Sequence, residues 1–198
     1  SSGMPDFTKF FALAVFDARG FGVAASEPGL KRDISYADRS YFRIHVDDPT
    51  HGLFVGEPLL GRSLGKRFFA LSLRIVGPDG KFLGVIMGSV DLKFVADYFA
   101  ANLSGEGSLN TLIHLPSKRV AARAPDFEKT FNQDMGKSTL FSEQLQRSPV
   151  GTYFASSVLD NTERIFAYRV IEGFPFLVVS AIDEEDFLKD LTKALPRI

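Results

Sequence analysis

The side chains best suited to binding a small molecule are concentrated between positions 36 and 45. At helical spacing, Arg39 and Phe42 share one face, while Tyr41 and His45 share another. A guanidinium group binds a carboxylate through two parallel hydrogen bonds, and aromatic rings beside it form the walls of a pocket. The segment therefore predicts a carboxylate site centred on Arg39. The spacing also fits a plainer interpretation, in which both aromatic residues are core and Arg39 is a solvated surface charge.

Three further polar residues extend this candidate site. Ser72 and Arg74 belong to a polar cluster that begins at Arg62, and part of that cluster is expected to be ordinary solvated charge. Asp91 ends an apolar strand just before a predicted helix, so its plain role is to cap that helix. Its functional role would be to accept a hydrogen bond from an amine or a hydroxyl of a ligand.

No catalytic centre is predicted. The chain has no cysteine, and its histidines, His45, His51 and His114, show no metal-binding spacing. The sequence contains no phosphate-binding or nucleophile motif, and no pair of carboxylates stands out. We therefore expect no catalytic residue, no metal and no cofactor. The net charge of -1 gives no electrostatic case for nucleic acid or an anionic membrane surface.

The composition is ordinary for a soluble globular protein. The 198 residues suffice for one or two domains, and most of the 20 phenylalanines are expected to fill the core. No uninterrupted apolar run approaches the roughly 18 residues of a membrane span, and no signal peptide is visible. Because Ser1-Ser2-Gly3 is typical of a leftover from cloning, we expect the chain to be a fragment of a longer protein.

The first half of the chain predicts antiparallel hairpins beside helices. Alternating apolar residues flank two turn sequences, at residues 17–20 and 77–80. A helix is predicted over residues 37–47, with its first amides capped by Asp38 or Ser35. The remaining predicted elements are strands at 10–16, 22–26, 53–55, 68–76 and 81–91 and an amphipathic helix at 94–103.

The second half repeats this plan. The hairpin that begins at Leu73 is echoed by one that begins at Tyr168, and Asp91 and Asp183 close the two copies. Two copies indicate two similar modules in tandem, since a solenoid needs more. The predicted elements are strands at 109–115, 119–124, 153–159, 164–171 and 176–182 and helices at 139–146 and 184–195.

These patterns predict an α+β protein of two modules, each with a central antiparallel sheet flanked by helices. The glycine-rich break at residues 104–107 marks the boundary. The predicted domains are therefore residues 1–103, which carry the candidate ligand site, and residues 104–198.

The order and spacing of several short motifs resemble a double Cache sensor domain. Domains of this family are PAS-like extracytoplasmic modules of bacterial histidine kinases, diguanylate cyclases and chemoreceptors. The motifs that resemble its membrane-distal and membrane-proximal halves are Asp38-Arg39-Ser40-Tyr41-Phe42, Gly56-Glu57-Pro58, Leu71-Ser72-Leu73-Arg74, Pro78-Asp79-Gly80-Lys81-Phe82-Leu83-Gly84-Val85, Asp91, Ala122-Arg123-Ala124-Pro125 and Ala167-Tyr168-Arg169.

The resemblance implies a setting for the domain. A long N-terminal helix, here only residues 5–9, would rise from a first membrane span. The C-terminal helix at 184–195 would lead into a second span and a cytoplasmic output domain. The chain would then be the periplasmic portion of a membrane-anchored, homodimeric receptor, either a histidine kinase or a diguanylate cyclase.

The resemblance also implies roles for individual residues. In the amino-acid-binding branch, an arginine followed by an aromatic pair grips the carboxylate and an aspartate holds the amine; Arg39, Tyr41, Phe42 and Asp91 match those positions. That branch also has a Tyr and an Asp after the loop proline, where this chain has Leu59 and Gly61. The departure argues against an α-amino acid and leaves a carboxylate or another small anion.

The resulting hypothesis is a non-enzymatic sensor that binds a small anionic metabolite in its first module and signals through the C-terminal helix. The alternative is a ligand-free interaction or dimerisation module that senses a periplasmic partner protein. The predicted ligand-binding residues are Arg39, Tyr41, Phe42, His45, Ser72, Arg74 and Asp91.

Overall fold

The computed structural model describes residues 11–63, 65–105 and 107–183. These residues form two compact units, which divide between Phe94 and Val95. The predicted helices at residues 5–9 and 184–195 lie outside the described part of the chain. None of the described helices has the length and hydropathy needed to cross a membrane.

The first unit is an antiparallel sheet with a short helix against one face. Its strands follow the order β2-β1-β6-β5-β3, with β4 also paired to β5. The elements are β1 (Phe11–Asp17), β2 (Gly22–Ala25), α1 (Ser40–Asp47), β3 (Phe54–Val55), β4 (Leu59–Leu60), β5 (Arg67–Val76), β6 (Phe82–Asp91) and the start of α2 (Leu92–Ala101). Both predicted hairpins of this half are confirmed.

Strand pairing decides which side chains face α1. Because successive side chains of a strand point to opposite faces, residues paired across neighbouring strands share a face. The rows on the face toward α1 are Ala12-Ser89-Ala70, Ala14-Met87-Ser72 and Phe16-Val85-Arg74. From α1, Tyr41 and Phe42 are buried against these rows in one hydrophobic cluster.

The second unit has the same plan with a five-stranded sheet in the order β8-β7-β11-β10-β9. Its elements are β7 (Leu109–His114), β8 (Arg119–Ala124), α3 (Phe127–Thr130), a π-helical turn (Leu140–Gln144) that continues into α4 (Leu145–Arg147), β9 (Val150–Ser156), β10 (Glu163–Val170) and β11 (Phe176–Asp183). The α+β class is confirmed in both units. The short helix α3 was missing from the sequence prediction.

Helix α1 begins at Ser40, later than the predicted start at residue 37. Arg39 occupies the N-cap position in an extended conformation, and no side chain caps the helix. Asp38 cannot serve as the cap because its carboxylate is held by Arg62. The Ser35 hydroxyl instead accepts a hydrogen bond from the backbone amide of Ala37 and donates one to the carbonyl oxygen of Arg19. A tertiary ion pair therefore replaces the expected local cap.

The structural division falls inside α2, earlier than the predicted boundary after residue 103. The physical reason is that the end of α2 is bonded to the second sheet. The side-chain amide of Asn110 on β7 donates to the carbonyl oxygens of Phe99 and Asn102. Helix α2 thus starts directly after β6 and finishes as part of the second unit.

The repeat is shifted by one residue on its first strand. Ser72 pairs with Met87, and Tyr168 pairs with Val179, the residue that matches Met87 when Asp91 and Asp183 are aligned. Tyr168 therefore corresponds to Ser72, and the sequence alignment of Tyr168 with Leu73 is wrong. Because a shift of one residue exchanges the two faces of a strand, this correction decides which side chains occupy matching places.

The close pairing of β1 with β6 predicts that Gly84 tolerates no side chain. Gly84 has a φ of +145°, and a Cβ there would overlap the carbonyl oxygen of Phe16. We expect Gly84→Ala to lower the free energy of unfolding by roughly 3 kcal/mol, from backbone strain and overpacking together. Gly80→Ala is the control, because Gly80 also has positive φ but nothing lies within 4 Å of its Cβ position. It should cost about 1 kcal/mol in a urea titration, and equal losses would contradict the steric argument.

Candidate ligand-binding site

A cavity of about 130 Å³ lies within the first unit, between the sheet face that carries Ala12 and Ala14 and the chain around α1. Its polar or charged lining residues are Glu27, Tyr36, Arg39, Tyr41, Arg62, Ser63, Lys66, Ser89 and Asp91. Its other lining residues are Ala12, Leu13, Ala14, Phe16, Ala25, Pro28, Leu30, Gly61, Phe68 and Met87. The cavity is therefore an apolar space with polar groups around it, which is the usual make-up of a small-molecule site.

Small side chains on the sheet make the room. Ala14 lies between Ala25 of β2 and Met87 of β6, and Ala12 lies beside Ser89. A methyl group at three neighbouring places leaves space above the sheet that larger side chains would fill. The floor of the cavity thus offers contact for the apolar part of a ligand.

The rim is held by two ion pairs between loops. Arg62 binds both carboxylate oxygens of Asp38, at 3.0 and 2.7 Å, and Lys66 lies 3.4 Å from Glu27. The hydrogen bond from Arg62 keeps the pKa of Asp38 below its usual value, so the carboxylate stays ionised at neutral pH. Both cations of the β4–β5 loop therefore already have a carboxylate partner.

Arg39 differs from those cations. One of its guanidinium nitrogens donates to the carbonyl oxygen of Leu60 at 3.1 Å, and the side chain makes no ion pair with a described residue. Its position at the N-terminus of α1 adds the partial positive charge of the helix end. The positive charge at this corner of the cavity is therefore the one best placed to balance the charge of an anion.

Tyr41 supplies a second donor. The residue is 2% exposed, and its hydroxyl makes no hydrogen bond with a described residue. Burial raises the pKa of Tyr41 well above its ordinary value, so the hydroxyl keeps its proton. Arg39 and Tyr41 both line the cavity, and both can donate to an acceptor group in it.

Asp91 has the capping role expected from the sequence and also lines the cavity. Its Oδ1 accepts the backbone amides of Lys93 and Phe94, at 2.8 and 3.4 Å, which caps α2. The same residue lines the cavity, next to Phe68 across the strand pair. A carboxylate fixed in this way presents an acceptor to the cavity. Its role toward a ligand stays a prediction.

The structure places four of the predicted site residues outside this cavity. Phe42, His45, Ser72 and Arg74 are absent from the cavity lining. Ser72 and Arg74 lie on the same face of the sheet but farther along β5, and Phe42 and His45 belong to α1 and contact this part of the unit. Phe42 packs edge-on against Phe82, with ring centroids 5.8 Å apart, and Arg74 lies over the same ring. Correct assignment of the face was not enough, because one face holds both the cavity and the packing under the helix.

The corresponding place in the second unit is filled. Matching the strand pairs puts Arg123 where the first unit has Ala25 and Arg164 where it has Phe68. Arg123 and Arg164 are only 4% and 8% exposed. Each donates to a different oxygen of Asp160 at 2.7 Å, and Arg164 also lies 3.0 Å from Asp183. Two arginines and two aspartates thus occupy the space that the first unit leaves open.

This ionic cluster changes the acid–base behaviour of Asp160. Burial alone would raise its pKa, but the hydrogen bonds from Arg164 and Thr162 and the charge of Arg123 outweigh burial. Together they lower the pKa of Asp160 to about 2. Asp183, the counterpart of Asp91, is itself paired with Arg164.

Sequence reasoning missed part of the cavity. It did not include Tyr36, whose hydroxyl bonds to the Ser63 hydroxyl, or the rim pairs at Arg62 and Lys66. A usable signal was present in β1 and β2, where alanine recurs on one face at Ala12, Ala14 and Ala25. Small residues on a buried strand face indicate that something else fills the space above them.

The fold and the cavity together define a tandem pair of PAS-like modules with a ligand-sized cavity in the first. Comparison with known families makes this assignment specific. The dCache_1-like family, described as a histidine kinase sensor domain, matches residues 93–181. No curated protein sequence matches the chain.

Solved structures extend the match to nearly the whole chain. The extracellular domain of rpHK1S-Z16, a protein assigned as a histidine kinase, is 30% identical with a TM-score of 0.79, over 89% of this chain and 71% of that one. The chain therefore belongs to the double Cache family of histidine kinase sensor domains. Domains of this family are sensory modules rather than catalytic domains.

Two more distant structures share the fold. The ligand-binding domain of the Pseudomonas aeruginosa amino acid chemoreceptor PctB, in complex with L-Arg, is 15% identical with a TM-score of 0.68, over 96% of this chain and 73% of that one. That of the Pseudomonas fluorescens chemoreceptor CtaA, in complex with L-isoleucine, is 15% identical with a TM-score of 0.66, over 94% and 75%.

The ionic cluster predicts a pH-dependent contribution to stability. Asp160→Asn leaves two buried arginines without their shared carboxylate, and we expect a loss of about 2 kcal/mol in the free energy of unfolding at pH 7. Because the folded-state pKa of about 2 lies below the ordinary 3.8, the loss should shrink as pH falls from 4 to 2. Urea titrations of the variant and wild type at several pH values measure the difference.

The control for this prediction is Glu143→Gln. Glu143 lies 3.9 Å from Arg147, and both side chains are exposed. An exposed pair contributes little, so this variant should change stability by less than about 0.5 kcal/mol. A pH-independent loss in Asp160→Asn, or an equal loss in Glu143→Gln, would contradict the assigned role of the cluster.

Proposed function

We propose that this chain is the ligand-binding part of an extracytoplasmic receptor and that it binds a small carboxylate in the cavity of the first unit. The observation that carries the proposal is the state of Arg39. It is a cavity-lining cation without a described carboxylate partner, whereas Arg62 and Lys66 are each paired. A carboxylate bound there would receive two hydrogen bonds from Arg39 and one from Tyr41.

The apolar floor suggests the rest of the ligand. A short hydrocarbon body would cover Ala12 and Ala14 and reach Met87 and Phe68. Asp91, next to Phe68, would accept a hydrogen bond from a hydroxyl or an amine of the ligand. The relatives PctB and CtaA bind L-Arg and L-isoleucine, which are also small carboxylates.

The loop after β4 makes an α-amino group a weaker match than a carboxylate. Gly61 lines the cavity without a side chain, and Leu59 packs on the apolar cluster beneath α1. Neither residue adds an acceptor for an ammonium group, and Glu27 is already paired with Lys66, so Asp91 would be the main carboxylate partner of that group. We therefore favour carboxylates that lack an α-amino group.

The proposed signalling route follows from the family setting. Ligand binding would stabilise one arrangement of α1 and the rim loops. The second unit would transmit this change through the segment after Asp183 to the rest of the parent receptor. The receptor would be membrane-anchored and homodimeric, with this domain in the periplasm. The parent would be a histidine kinase or a diguanylate cyclase. The competing hypothesis, a ligand-free interaction module, implies a core packed by phenylalanine at this place; a cavity lined by Arg39 and Asp91 favours sensing.

A thermal-shift screen of small carboxylates tests the carboxylate anchor. A ligand that binds only the folded state raises the apparent melting temperature, so an effective carboxylate should give a concentration-dependent shift. Arg39→Ala removes a charge-assisted contact worth about 1.5–3 kcal/mol, so it should weaken binding by roughly 10- to 100-fold. Arg43→Ala is the matched control, since Arg43 lies on the same helix but is exposed and paired with Asp47. An unchanged shift in Arg39→Ala contradicts the anchor assignment.

A matched pair of probes tests the amine prediction. Valine and 3-methylbutanoate share one carbon skeleton and differ only in the α-amino group. We expect 3-methylbutanoate to bind at least as tightly by isothermal titration calorimetry, because Glu27 is paired with Lys66 and only Asp91 is left among the lining carboxylates for an ammonium. If valine binds more than tenfold tighter and Asp91→Asn abolishes the difference, an amino acid is the better ligand class.

A further inference from the structure

A buried hydrogen-bond chain links helix α1 to the sheet. His45 is 0% exposed, and its Nε2 lies 2.9 Å from the hydroxyl of Ser72. The Ser72 hydroxyl donates its proton to the carbonyl oxygen of Tyr41 at 2.8 Å. A serine hydroxyl has only one proton to donate, so the proton between His45 and Ser72 must come from Nε2. The geometry therefore selects the Nε2–H tautomer of neutral His45.

The other ring nitrogen has no partner. With the proton on Nε2, Nδ1 carries a lone pair, and it is buried without a hydrogen bond in the described structure. The ionisable or cationic groups around it come from several elements: His51 has its ring centroid 6.0 Å away, Asp48 lies 3.7 Å from His51, and Arg74 of β5 donates to the His45 carbonyl. Asp47 of α1 is paired with Arg43 at the surface.

Protonation of Nδ1 is therefore unfavourable while α1 is seated. The new N–H would be a buried donor without an acceptor, and the new charge would lie near the cation Arg74. Burial accordingly lowers the pKa of His45. Solvation of the imidazolium requires the C-terminal part of α1 to lift from the sheet. Arg39 and Tyr41 lie at the N-terminal end of the same eight-residue helix and line the cavity.

We propose that His45 and Ser72 are positioning residues that hold α1 in its ligand-binding arrangement and make that arrangement sensitive to acid. At neutral pH the chain from His45 through Ser72 to Tyr41 fixes the helix. In acid, protonation of His45 favours the lifted helix, so ligand affinity falls as pH falls. This consequence for affinity rests on the proposed ligand site, whereas the acid response of α1 does not.

Hydrogen–deuterium exchange of the 198-residue protein tests the acid response without a ligand. After correction for the intrinsic exchange rates, opening of α1 should increase by roughly tenfold per pH unit below about 6.5, the ordinary pKa of histidine. His45→Gln keeps a donor for Ser72 but cannot take up a proton, so the pH dependence of peptides covering α1 should disappear. His51→Gln is the control and should keep the pH dependence.

Nitrogen-15 spectra of the histidine rings in the wild-type protein provide a test that needs no variant. The expected result is that the signal of His45, assigned by its loss in His45→Gln, keeps the neutral Nε2–H form below the ordinary pKa of histidine. An Nδ1–H tautomer, an ordinary pKa for His45, or an unchanged pH dependence of α1 in His45→Gln would each overturn the proposal. None of these results bears on whether Arg39 binds a carboxylate.

Discussion

The alternation of side chains along antiparallel strands is the constraint on which the first unit depends. It gives β1, β5 and β6 one common face, and that face must both support α1 and leave a cavity. The two tasks are separated along the strands. At one end, small residues such as Ala12 and Ala14 leave space. At the other, Val85 and Phe82 belong to the packed cluster that also contains Phe42 of the helix. A helix of eight residues bridges the two ends and can therefore serve both.

The second unit shows that the fold alone does not create a site. The strand order and register are closely similar, yet Arg123 stands where the first unit has Ala25, and Arg164 where it has Phe68. Their charges are paired with Asp160 and Asp183, so each buried cation has a carboxylate partner inside the unit. A buried ion cluster of this kind contributes little net free energy of folding. Loss of one member is nevertheless strongly destabilising, because it leaves a buried charge without its partner. At matching places, the first unit thus keeps an open cavity and the second holds paired charged side chains.

The hairpins could be predicted from the sequence, because their turn residues and their alternation of apolar and polar side chains are local signals. It also identified Arg39, Tyr41 and Asp91 as residues that share one cavity. It did not reveal that His45 and Ser72 lie outside that cavity, since residue spacing gives the direction of a side chain but not its distance along the strands. The start of α1 was misplaced for a related reason: the pairing of Asp38 with Arg62 joins positions far apart in sequence. Information of that kind is absent from local patterns.

The unpartnered nitrogen of His45 is informative because proteins rarely leave a buried acceptor unsatisfied. A leucine or methionine at this position would pack against the same face without that cost. Histidine instead supplies a proton to Ser72, which in turn bonds to the Tyr41 carbonyl and so reaches the helix backbone between the cavity end and the packed end. A buried polar group that lowers stability and also acts on residues around the cavity is a site at which local sequence rules and function are expected to conflict. The physical role of His45 is therefore better sought in the position of α1 than in contact with a ligand.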